Sequence, residues 1–476
     1  MEQTRSIKPK EGDEETSHLH IVMFPWLAMG HLIPFFHFSN ILALKGHHIS
    51  FISTPRNLHR IPKIPSQLSH NIKLVSLPFP KVESLPDLAE SSMDIPYQKA
   101  QSLKIAFDLL EPLLLTFFQT STLKVDWVIF DYASHWLPSL ASRFGVSTAY
   151  FSLFTAATQV FLGPPSLLVN GQGTRSTVED FCRVPEWVPF ESDIVYRLHE
   201  ITKYAEVAVG NESGTSDPVR FLASIDGCDL VLFRTSYEFE PEWFDLVCEL
   251  YQKPVIPIGV LPPSLENYEF DDYENWDYIK KWLDGHKANS VFFVALGSEA
   301  MLSQVELNEL ALGLERSGLP FFWVIRKSIL ESAQLPDGFL ERVKGKGVVN
   351  IGWVPQVRIL SHSSIGGFLT HCGWNSAIEG LTFGRVLIFF PVMNDQGLNV
   401  RLLNGKKLGV EIPRHEKDGS FTSESVAESI KFAMVSEEGE ALRANAREMK
   451  GVFGDKSKND HYIDACVNHL VKMRKN

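Results

Sequence analysis

Short apolar runs alternate with helical patterns along the chain, and the alternation starts again near residue 290. Runs that end at polar or glycine-bearing loops predict strands at 19–24, 49–53, 127–130, 146–151 and 230–233, and then at 290–296, 321–325, 348–351, 367–370 and 386–390. Nearly continuous apolar runs are typical of strands buried on both faces of a parallel sheet. The sequence therefore predicts two doubly wound α/β domains that face each other across a cleft.

Helix signals separate the predicted strands. A helix is predicted over 31–44, because Lys45 and Gly46 supply a basic last turn and a glycine stop. The spacing of Ser303 and Glu306 predicts a capping box at the start of another helix. Beyond about residue 423 the pattern is mostly helical.

Composition and local pattern divide the chain into five segments. Residues 1–17 are polar and of mixed charge, without the apolar core of a secretory signal, so we expect a disordered tail. Residues 259–277 are acidic and proline-rich and are predicted to link the two domains. The first domain then covers 18–258 and the second 278–454, and the segment 455–476 is predicted to be a helix that packs back on the first domain.

The bulk composition limits the class of protein. With 476 residues, 44% apolar and 21% charged, the chain is too long for one core and has an ordinary globular balance. Its net charge of −12 argues against a nucleic-acid partner, which usually requires a basic surface. No uncharged apolar stretch approaches the ~20 residues of a spanning helix, so no stable membrane insertion is expected. The five scattered cysteines fit a reducing compartment, and we expect a cytoplasmic monomer.

The stretch from Trp353 to Gln396 contains the densest group of candidate binding residues. It begins with W-V-P-Q, continues with H-C-G-W-N-S at 371–376, and then includes Glu379 and Asp395. At 371–376 a predicted strand runs into a glycine turn and a helix start, where backbone N–H groups can bind a phosphate or diphosphate. Two tryptophan planes, carboxylates, amides and a hydroxyl surround this turn. Together they predict a site for a nucleotide that carries a sugar.

This stretch resembles the signature box of plant UDP-dependent glycosyltransferases, which move a sugar from a uridine diphosphate sugar to a small molecule. The N-terminal G-H-L-I-P and the position of the linker match as well. The runs F-P-W-L-A-M-G-H-L-I-P-F-F and E-G-L-T-F-G-R-V-L-I-F-F-P-V-M-N-D-Q-G-L-N are most similar to the branch that attaches a sugar to a sugar already on the acceptor. The resemblance implies the GT-B arrangement of two Rossmann-like domains, with the nucleotide sugar in the second domain and the acceptor and catalytic base in the first.

His31 resembles the catalytic base of that family, and Asp131 resembles the acid that orients it. An acceptor hydroxyl is a poor nucleophile until a base takes its proton, and an imidazole can do this near neutral pH. Asp131 ends a predicted strand, whereas the competing Asp126 precedes that strand and should lie at its far end. A helix-capping or core histidine is the alternative for His31, and a helix N-cap is the alternative for Asp131.

In the second domain, the resemblance implies a complete donor site. The uridine would stack on Trp353, with Val354 and Gln356 beside it and Glu379 on the ribose hydroxyls. The diphosphate and donor sugar would be held by Ser298, His371, Gly373, Trp374, Asn375, Ser376, Asp395 and Gln396, with Thr155 of the first domain on the sugar 6-hydroxyl. The alternatives are a core position for Trp353 and ordinary turn chemistry for Ser298. Asp395 could also be a helix N-cap, a role that can coexist with sugar binding.

Several further residues have open interpretations. The acceptor pocket is expected to be bordered by Trp26, Met29, Phe151 and Phe154, for each of which core packing is the alternative. Cys372 could act as a nucleophile, but a small residue needed for close packing is favoured. Arg385 departs from the glycine-valine-proline that is common in the family, and a solvated surface position is favoured over a salt bridge.

These features predict an inverting glycosyltransferase, with UDP-glucose as the favoured donor and UDP-rhamnose as the alternative. No D-x-D pair is present to hold a metal, so we expect neither a metal nor another cofactor. The favoured acceptor is a small-molecule glycoside, such as a flavonoid or terpenoid glycoside, and an aglycone is the alternative. A nicotinamide-dependent oxidoreductase would need a G-x-G-x-x-G after the first strand, which is missing. A non-catalytic binder of nucleotide sugars would not need His31 and Asp131.

Overall fold

The computed structural model describes residues 18–164, 167, 175–208, 212–263, 265 and 275–475. Two sheets of parallel strands lie in this part of the chain, one in each half, with helices between the strands. The predicted doubly wound α/β class is therefore confirmed. The expected disordered tail, and residues 264 and 266–274 of the predicted linker, lie outside the described residues.

The first sheet contains seven strands within the described residues. They are β1 (His20–Phe24), β2 (His48–Ser53), β3 (Ile72–Ser76), β4 (Trp127–Phe130), β5 (Ser147–Ser152), β6 (Leu230–Phe233) and β7 (Val255–Pro257). Their order across the sheet is β3-β2-β1-β4-β5-β6-β7. The inner strands β1, β4, β5 and β6 are buried at every position, because helices cover both faces of the sheet.

The second sheet has six strands in the described part of the chain. They are β8 (Val291–Ala295), β9 (Phe321–Ile325), β10 (Gly347–Ile351), β11 (Ile365–Thr370), β12 (Val386–Phe389) and β13 (Gly409–Glu411). Their order is β10-β9-β8-β11-β12-β13, so β8 and β11 lie side by side at the centre. Strand β3 and the three-residue strands β7 and β13 are missing from the prediction, and each of them lies at an edge of its sheet and is only partly buried.

Helices connect the strands and cover the sheets. In the first half they are α1 (Met29–Leu44), α2 (Pro55–Arg60), α3 (Ala100–Asp108), α4 (Glu111–Thr120), α5 (Leu137–Ser142), α6 (Ala156–Leu162), α7 (Leu198–Ala208), α8 (Asp217–Gly227) and α9 (Pro241–Tyr251). In the second half they are α10 (Trp276–Asp284), α11 (Gln304–Ser317), α12 (Lys327–Ser332), α13 (Phe339–Arg342), α14 (Gln356–Ser361), α15 (Trp374–Thr382), α16 (Gln396–Gly405), α17 (Ser423–Met434), α18 (Glu440–Phe453) and α19 (Lys456–Met473).

The predicted capping box at the start of α11 is confirmed. The backbone N–H of Ser303 donates to the Glu306 carboxylate at 2.9 Å, and the N–H of Glu306 donates to the Ser303 hydroxyl at 3.3 Å. Each side chain thus satisfies a backbone donor that the first helical turn leaves without a partner.

The C-terminal helix α19 packs on the first domain. Its residues Ile463, Cys466 and Leu470 are buried in the same apolar cluster as strands β1 and β2. The Trp127 indole donates a hydrogen bond of 2.9 Å to the backbone oxygen of Leu470. The end of the chain therefore returns to the first sheet after the second domain is complete.

Candidate active site

A cavity of about 950 Å³ lies between the carboxyl ends of the two sheets. It is lined by loops that follow β1, β4 and β5 in the first domain and β8 to β12 in the second. Strands within each sheet are parallel, so all of these loops leave the same edge of their sheet. The fold therefore brings polar and aromatic side chains from distant parts of the sequence to one cavity.

His31 lines this cavity and meets Asp131 behind it, the two residues following the neighbouring strands β1 and β4. Nδ1 of His31 lies 2.8 Å from Oδ2 of Asp131, and the side chain of His31 is 17% exposed whereas that of Asp131 is 2% exposed. The same Oδ2 accepts the backbone N–H of Trp26 at 2.7 Å, and Oδ1 accepts that of Ala133 at 3.3 Å. A carboxylate fixed in this way holds the imidazole with Nδ1 protonated and leaves Nε2 for a ligand.

The two candidate partners of His31 lie at opposite ends of β4. Asp126 precedes the strand and accepts the backbone N–H of His20 at 2.8 Å, at the start of β1. Only Asp131 of the two contacts His31. Asp131 is not the N-cap of α5, because that position belongs to Trp136.

In the second domain, His371 lies directly after β11 and between two glycines. A Cβ atom on Gly297 would lie 2.5 Å from Nε2 of His371, and one on Gly373 would lie 2.6 Å from it. Gly297 also has a φ of +76°, which favours glycine. Burial lowers the pKa of His371 to about 4, so the ring is neutral at pH 7. Its Nδ1 atom is buried and has no hydrogen-bond partner among the described residues, which suits a polar ligand.

The start of α15 faces the same cavity. Gly373 is the N-cap, and no side chain makes a capping hydrogen bond there among the described residues. The N–H groups of Trp374, Asn375 and Ser376 are therefore available to an anion, and the positive end of the helix dipole adds to their attraction. Ser298, in the loop after β8, also lines this part of the cavity.

Trp353, Gln356 and Glu379 line the cavity as well. The Trp353 side chain is 63% exposed, so the core interpretation of this residue is wrong. Nε2 of Gln356 donates a hydrogen bond of 2.6 Å to Oε2 of Glu379. Burial raises the pKa of Glu379, and this hydrogen bond opposes that rise. Val354 contributes an apolar part of the wall. An exposed indole plane can stack on a nucleobase, and a fixed carboxylate beside it can accept hydrogen bonds from two neighbouring hydroxyls.

Trp374 and Asn375 line the cavity but also join the two domains. The Trp374 indole donates a hydrogen bond of 3.0 Å to the backbone oxygen of Arg234, and its ring packs against Phe239. The amide group of Asn375 donates to the backbone oxygen of Gly30 at 2.8 Å and accepts from the Arg234 guanidinium. These two residues belong to the signature box at 353–396, which we call the donor box, and they hold the start of α1, which contains His31, close to the second domain.

Asp395 is held by Asn399, a residue that the sequence interpretation did not identify. Nδ2 of Asn399 donates to Oδ2 of Asp395 at 2.8 Å and to the backbone oxygen of Cys372 at 3.1 Å. Its Oδ1 accepts hydrogen bonds from the hydroxyls of Thr155 and Thr158 at 3.4 and 3.3 Å. Asn399 thus links the first domain to the carboxylate that faces the cavity. The i, i+4 spacing from Asp395 on a helix is a signal that could have revealed it.

Asp395 and Gln396 stand at the start of α16. Asp395 occupies the N-cap position of this helix, but its side chain makes no capping hydrogen bond there and is free to face the cavity. Oε1 of Gln396 accepts the backbone N–H groups of Val392 and Met393 at 2.8 and 3.0 Å. This contact fixes the loop after β12, and both Asp395 and Gln396 line the cavity.

Comparison with known proteins identifies the family. A family model described as UDP-glucoronosyl and UDP-glucosyl transferase matches residues 273–453. UDP-glycosyltransferase 91C1 of Arabidopsis thaliana is 56% identical over 458 residues, which cover 96% of this chain and 98% of that protein. The chain belongs to the plant UDP-glycosyltransferases.

Other relatives and solved structures agree with this assignment. The anthocyanidin-3-O-glucoside rhamnosyltransferase of Petunia hybrida is 34% identical over 467 residues, which cover 96% of this enzyme and 97% of the relative. The crystal structure of UGT73P12 of Glycyrrhiza uralensis, in complex with glycyrrhetinic acid 3-O-monoglucuronide, superposes with a TM-score of 0.77 at 21% identity. That superposition covers 96% of each chain and confirms the GT-B arrangement.

Family membership decides the class of the reaction. The enzyme is a glycosyltransferase that takes a UDP-sugar donor and a small-molecule acceptor. The interpretations as a nicotinamide-dependent oxidoreductase and as a non-catalytic binder are therefore wrong. The residues expected at the donor site, other than Thr155, lie together on the second-domain side of the cavity.

Two of the expected contact residues do not line the cavity. Phe151 is completely buried in the first core and packs against Phe35 and Phe38, with ring centroids 5.0 and 5.5 Å away. Thr155 is also completely buried, and its hydroxyl caps α6 by accepting the N–H of Thr158 at 3.1 Å. The expected acceptor contact of Phe151 and the expected sugar contact of Thr155 are therefore wrong, because both side chains are used in packing and capping.

The structure corrects the favoured interpretation of Arg385. Its side chain is buried and donates hydrogen bonds to the backbone oxygens of Leu360, Ile365 and His362, so it is not solvated, and no acidic side chain among the described residues pairs with it. Burial lowers the pKa of Arg385 to about 10, which keeps it charged at pH 7. It ties the loop before β11 to the start of β12, and we find no contact with the cavity.

Cys372 is a packing residue, as favoured. It is completely buried, and its thiol donates to the backbone oxygen of Thr370 at 3.4 Å. Burial raises the pKa of Cys372 well above its ordinary value, which suppresses the reactive thiolate. Its φ of +65° places the chain in the sharp turn that leads into α15.

The side of the cavity where the acceptor is expected is lined by residues of the first domain. Trp26, Met29 and Phe154 are among them, and their contact with an acceptor stays a prediction. Aromatic residues that the sequence interpretation did not identify join them, namely Tyr97, Tyr132, Tyr196, Tyr204 and Phe221. They come from helices and loops far apart in the sequence, so no local pattern could have grouped them.

Two further findings concern metals and membranes. Within the described ranges, no group of three or more His, Cys, Asp and Glu side chains is placed to hold a metal ion. No helix in the part of the chain that the structure describes is long and apolar enough to cross a membrane.

We expect Glu379→Gln to weaken UDP binding by about 10- to 100-fold, which is typical of losing hydrogen bonds to a charged group. Glutamine keeps the shape and can still accept from Gln356, so the fold should be unchanged. Isothermal titration with UDP measures the effect, and Glu428→Gln, on the exposed face of α17, is the matched control. An unchanged affinity for UDP would remove Glu379 from the donor site.

Proposed function

We propose that the enzyme transfers glucose from UDP-glucose to a hydroxyl of a small-molecule glycoside, with inversion at the anomeric carbon. The observation that carries the proposal is the His31–Asp131 pair, which opens on the same cavity as the donor-box residues. A cavity of about 950 Å³ is near the upper end of the ~300–1,000 Å³ common for ligand sites, which suits two substrates side by side.

The proposed reaction begins with the acceptor hydroxyl against Nε2 of His31. This nitrogen takes the hydroxyl proton while the oxygen attacks the anomeric carbon. The bond from that carbon to the diphosphate oxygen breaks, and UDP leaves from the opposite face. One displacement inverts the configuration, so an α-linked donor yields a β-linked product. Asp131 keeps the ring oriented and stabilises its protonated form.

The leaving diphosphate needs stabilisation as its charge grows. We propose that the N–H groups at the start of α15, together with His371 and Ser298, provide it without a metal ion or other cofactor. The neutral His371 ring has one nitrogen that can donate, and its Nδ1 atom is unpaired among the described residues. These groups are preorganised, because glycines on both sides fix the position of the ring.

The proposed identity of the donor sugar rests on Asp395 and Gln396. The carboxylate of Asp395 faces the cavity with one oxygen bound to Asn399, so its remaining acceptor positions can bind the 3- and 4-hydroxyls of glucose. UDP-rhamnose is the second candidate, because the relative from Petunia hybrida is a rhamnosyltransferase.

The proposed acceptor class rests on the residues of the first domain. Their side chains combine aromatic faces with tyrosine hydroxyls and the buried ion pair of Lys104 and Asp217. This mixture fits an apolar skeleton that carries a sugar. The Petunia hybrida relative takes a 3-O-glucoside, which supports the same class here. We further propose that the enzyme acts as a monomer in the cytoplasm.

A donor panel tests the proposal. The purified enzyme is incubated with UDP-glucose, UDP-rhamnose or UDP-galactose and a mixture of plant glycosides and aglycones, and products are read by mass spectrometry and by the anomeric proton coupling. We expect hexose addition from UDP-glucose to glycosides with a β linkage. Deoxyhexose addition would establish the rhamnosyl alternative, and an α linkage in the hexose product formed from UDP-glucose would contradict inversion.

A further inference from the structure

A buried ion pair faces the acceptor side of the cavity. Lys104 on α3 donates to Oδ1 of Asp217, the first residue of α8, and the two side chains are 3% and 10% exposed. Both residues line the cavity. No role for this pair follows from the proposed chemistry at His31 or from the donor box.

A second ion pair joins the same two helices outside the cavity. The Arg220 guanidinium on α8 donates to both carboxylate oxygens of Asp108 on α3, at 2.8 and 2.6 Å. Arg220 also donates to the backbone oxygen of Ala133 at 2.8 Å. Neither Arg220 nor Asp108 lines the cavity. The pair of Arg220 and Asp108 thus already joins α3 to α8. The pair of Lys104 and Asp217 adds little further stability to the fold, since the cost of desolvating two charges offsets most of their attraction.

Tyrosine side chains surround the pair on its cavity side. Tyr97, Tyr132 and Tyr204 all line the cavity near it. Burial raises the pKa of each, and among nearby charges Asp217 contributes most to the rise, so all three hydroxyls stay protonated. The Tyr97 hydroxyl already donates to Oδ1 of Asn394 at 2.6 Å, so it can only accept from a ligand, whereas the hydroxyls of Tyr132 and Tyr204 can donate or accept.

Tyr132 connects the pair to the catalytic end of the cavity. Its ring lies 6.0 Å from that of His31, between centroids, and it stacks on Phe221 at 4.8 Å. The charges of both Asp217 and Asp131 act on its hydroxyl. Tyr132 therefore lies between the side of the cavity that contains His31 and the side that contains the ion pair, where one acceptor could meet both.

The pair offers complementary groups to two neighbouring hydroxyls. Lys104 has donors beyond the one directed at Asp217, and Oδ2 of Asp217 has no hydrogen-bond partner among the described residues. An ammonium next to a carboxylate can donate to one sugar oxygen and accept from the adjacent hydroxyl. A uronic acid would gain from Lys104 but be repelled by Asp217, so a neutral sugar is the better match.

We propose that Lys104, Asp217 and the surrounding tyrosines form a subsite for the neutral sugar already attached to the acceptor, holding it so that one of its hydroxyls faces His31. The inference deepens the proposed function and depends on a glycoside being the acceptor. It assigns Lys104 and Asp217 as specificity-determining residues for glycosides over aglycones.

The test compares acceptors that differ only in this sugar. A flavonol and a triterpene are each offered to the enzyme as the aglycone, the β-glucoside and the glucuronide, with UDP-glucose as donor. For Asp217→Asn we expect kcat/KM for glucosides to fall by about 10- to 100-fold, the usual effect of losing a hydrogen bond to a charged group. Transfer to the aglycones should change by less than about threefold, because they lack the hydroxyls that the pair would bind.

Asp108→Asn is the matched control, because it alters the ion pair that joins the same helices outside the cavity. It should leave the ratio of glucoside to aglycone transfer unchanged. If Asp217→Asn folds poorly, as judged by Tm and UDP affinity, the double variant Lys104→Gln with Asp217→Asn is used instead. In this variant a hydrogen bond between two amides replaces the ion pair.

The outcomes separate the two proposals. A wild-type enzyme that glycosylates aglycones but no glycoside overturns the glycoside part of the proposed function, and the subsite with it. A wild-type enzyme that uses glucosides, together with variants that lose glucoside and aglycone transfer equally or lose neither, overturns the subsite alone. Preference for the glucuronide over the glucoside in the wild type would also contradict a site for a neutral sugar.

Discussion

The variant His31→Ala is expected to lose sugar transfer by about 10²- to 10⁴-fold in kcat, the usual contribution of a general base. The hydroxyl proton would then have no acceptor in the cavity at the position that Nε2 occupies. UDP affinity should stay within about twofold, because the residues expected to hold UDP belong to the second domain. Initial rates with saturating donor and isothermal titration with UDP measure the two quantities separately.

His48→Ala is the matched control for this substitution. His48 is exposed at the start of β2, at the edge of the sheet opposite to the cavity. Its removal should change neither transfer nor UDP binding. If His31→Ala lost UDP binding and transfer to the same extent, the assignment of base and donor site to different domains would be wrong.

The second large effect is expected for Asp131→Asn, with a loss of about 10²- to 10⁴-fold in kcat. Asparagine can still accept the backbone N–H of Trp26, so the loop after β1 should keep its position. With its amide oxygen in the place of Oδ2, asparagine also accepts the Nδ1–H of His31, because both groups contact that one atom. It lacks, however, the negative charge that stabilises the protonated ring when the acceptor proton is taken. If the amide turned over, it would lose the Trp26 bond, donate to Nδ1 and favour the tautomer with the proton on Nε2, in which the ring cannot act as a base.

Asp126→Asn provides a control with the same chemistry at the other end of β4. Asp126 also accepts a backbone N–H of a residue near β1, that of His20, but it does not contact His31. The control should therefore keep its activity. Equal losses in the two variants, or a full-activity Asp131→Asn enzyme with unchanged Tm, would show that Asp131 does not orient the base.

The donor box has a second role that its motif did not indicate. Trp374 and Asn375 make hydrogen bonds to Arg234 and Gly30 of the first domain, and Asn399 links Asp395 to Thr155. These contacts place the start of α1, which contains His31, against second-domain residues that line the cavity. The proposed binding of the donor and the proposed positioning of the base would thus be coupled through the same short segment of the second domain.

The alternation of apolar runs was enough to predict the two sheets and the edge at which the site lies. Runs such as Trp127–Phe130 and Phe321–Ile325 match the observed strands residue for residue, because strands buried on both faces require continuous apolar sequence. In a parallel sheet the residues after each strand share one edge, so His31, Asp131 and the donor box could be placed near one cleft. The three-residue strands β7 and β13 escaped prediction, since such short pieces carry no periodicity.

Only the tertiary structure decided which side chains face the cavity. Phe151 and Phe154 are three residues apart and chemically identical, yet Phe151 packs in the core and Phe154 lines the cavity. Arg385 finds its backbone partners through the fold, and Lys104 and Asp217 meet across 113 positions of sequence. Local sequence reports the periodicity of burial along one element, whereas the direction of a side chain and its distant partners depend on how elements pack.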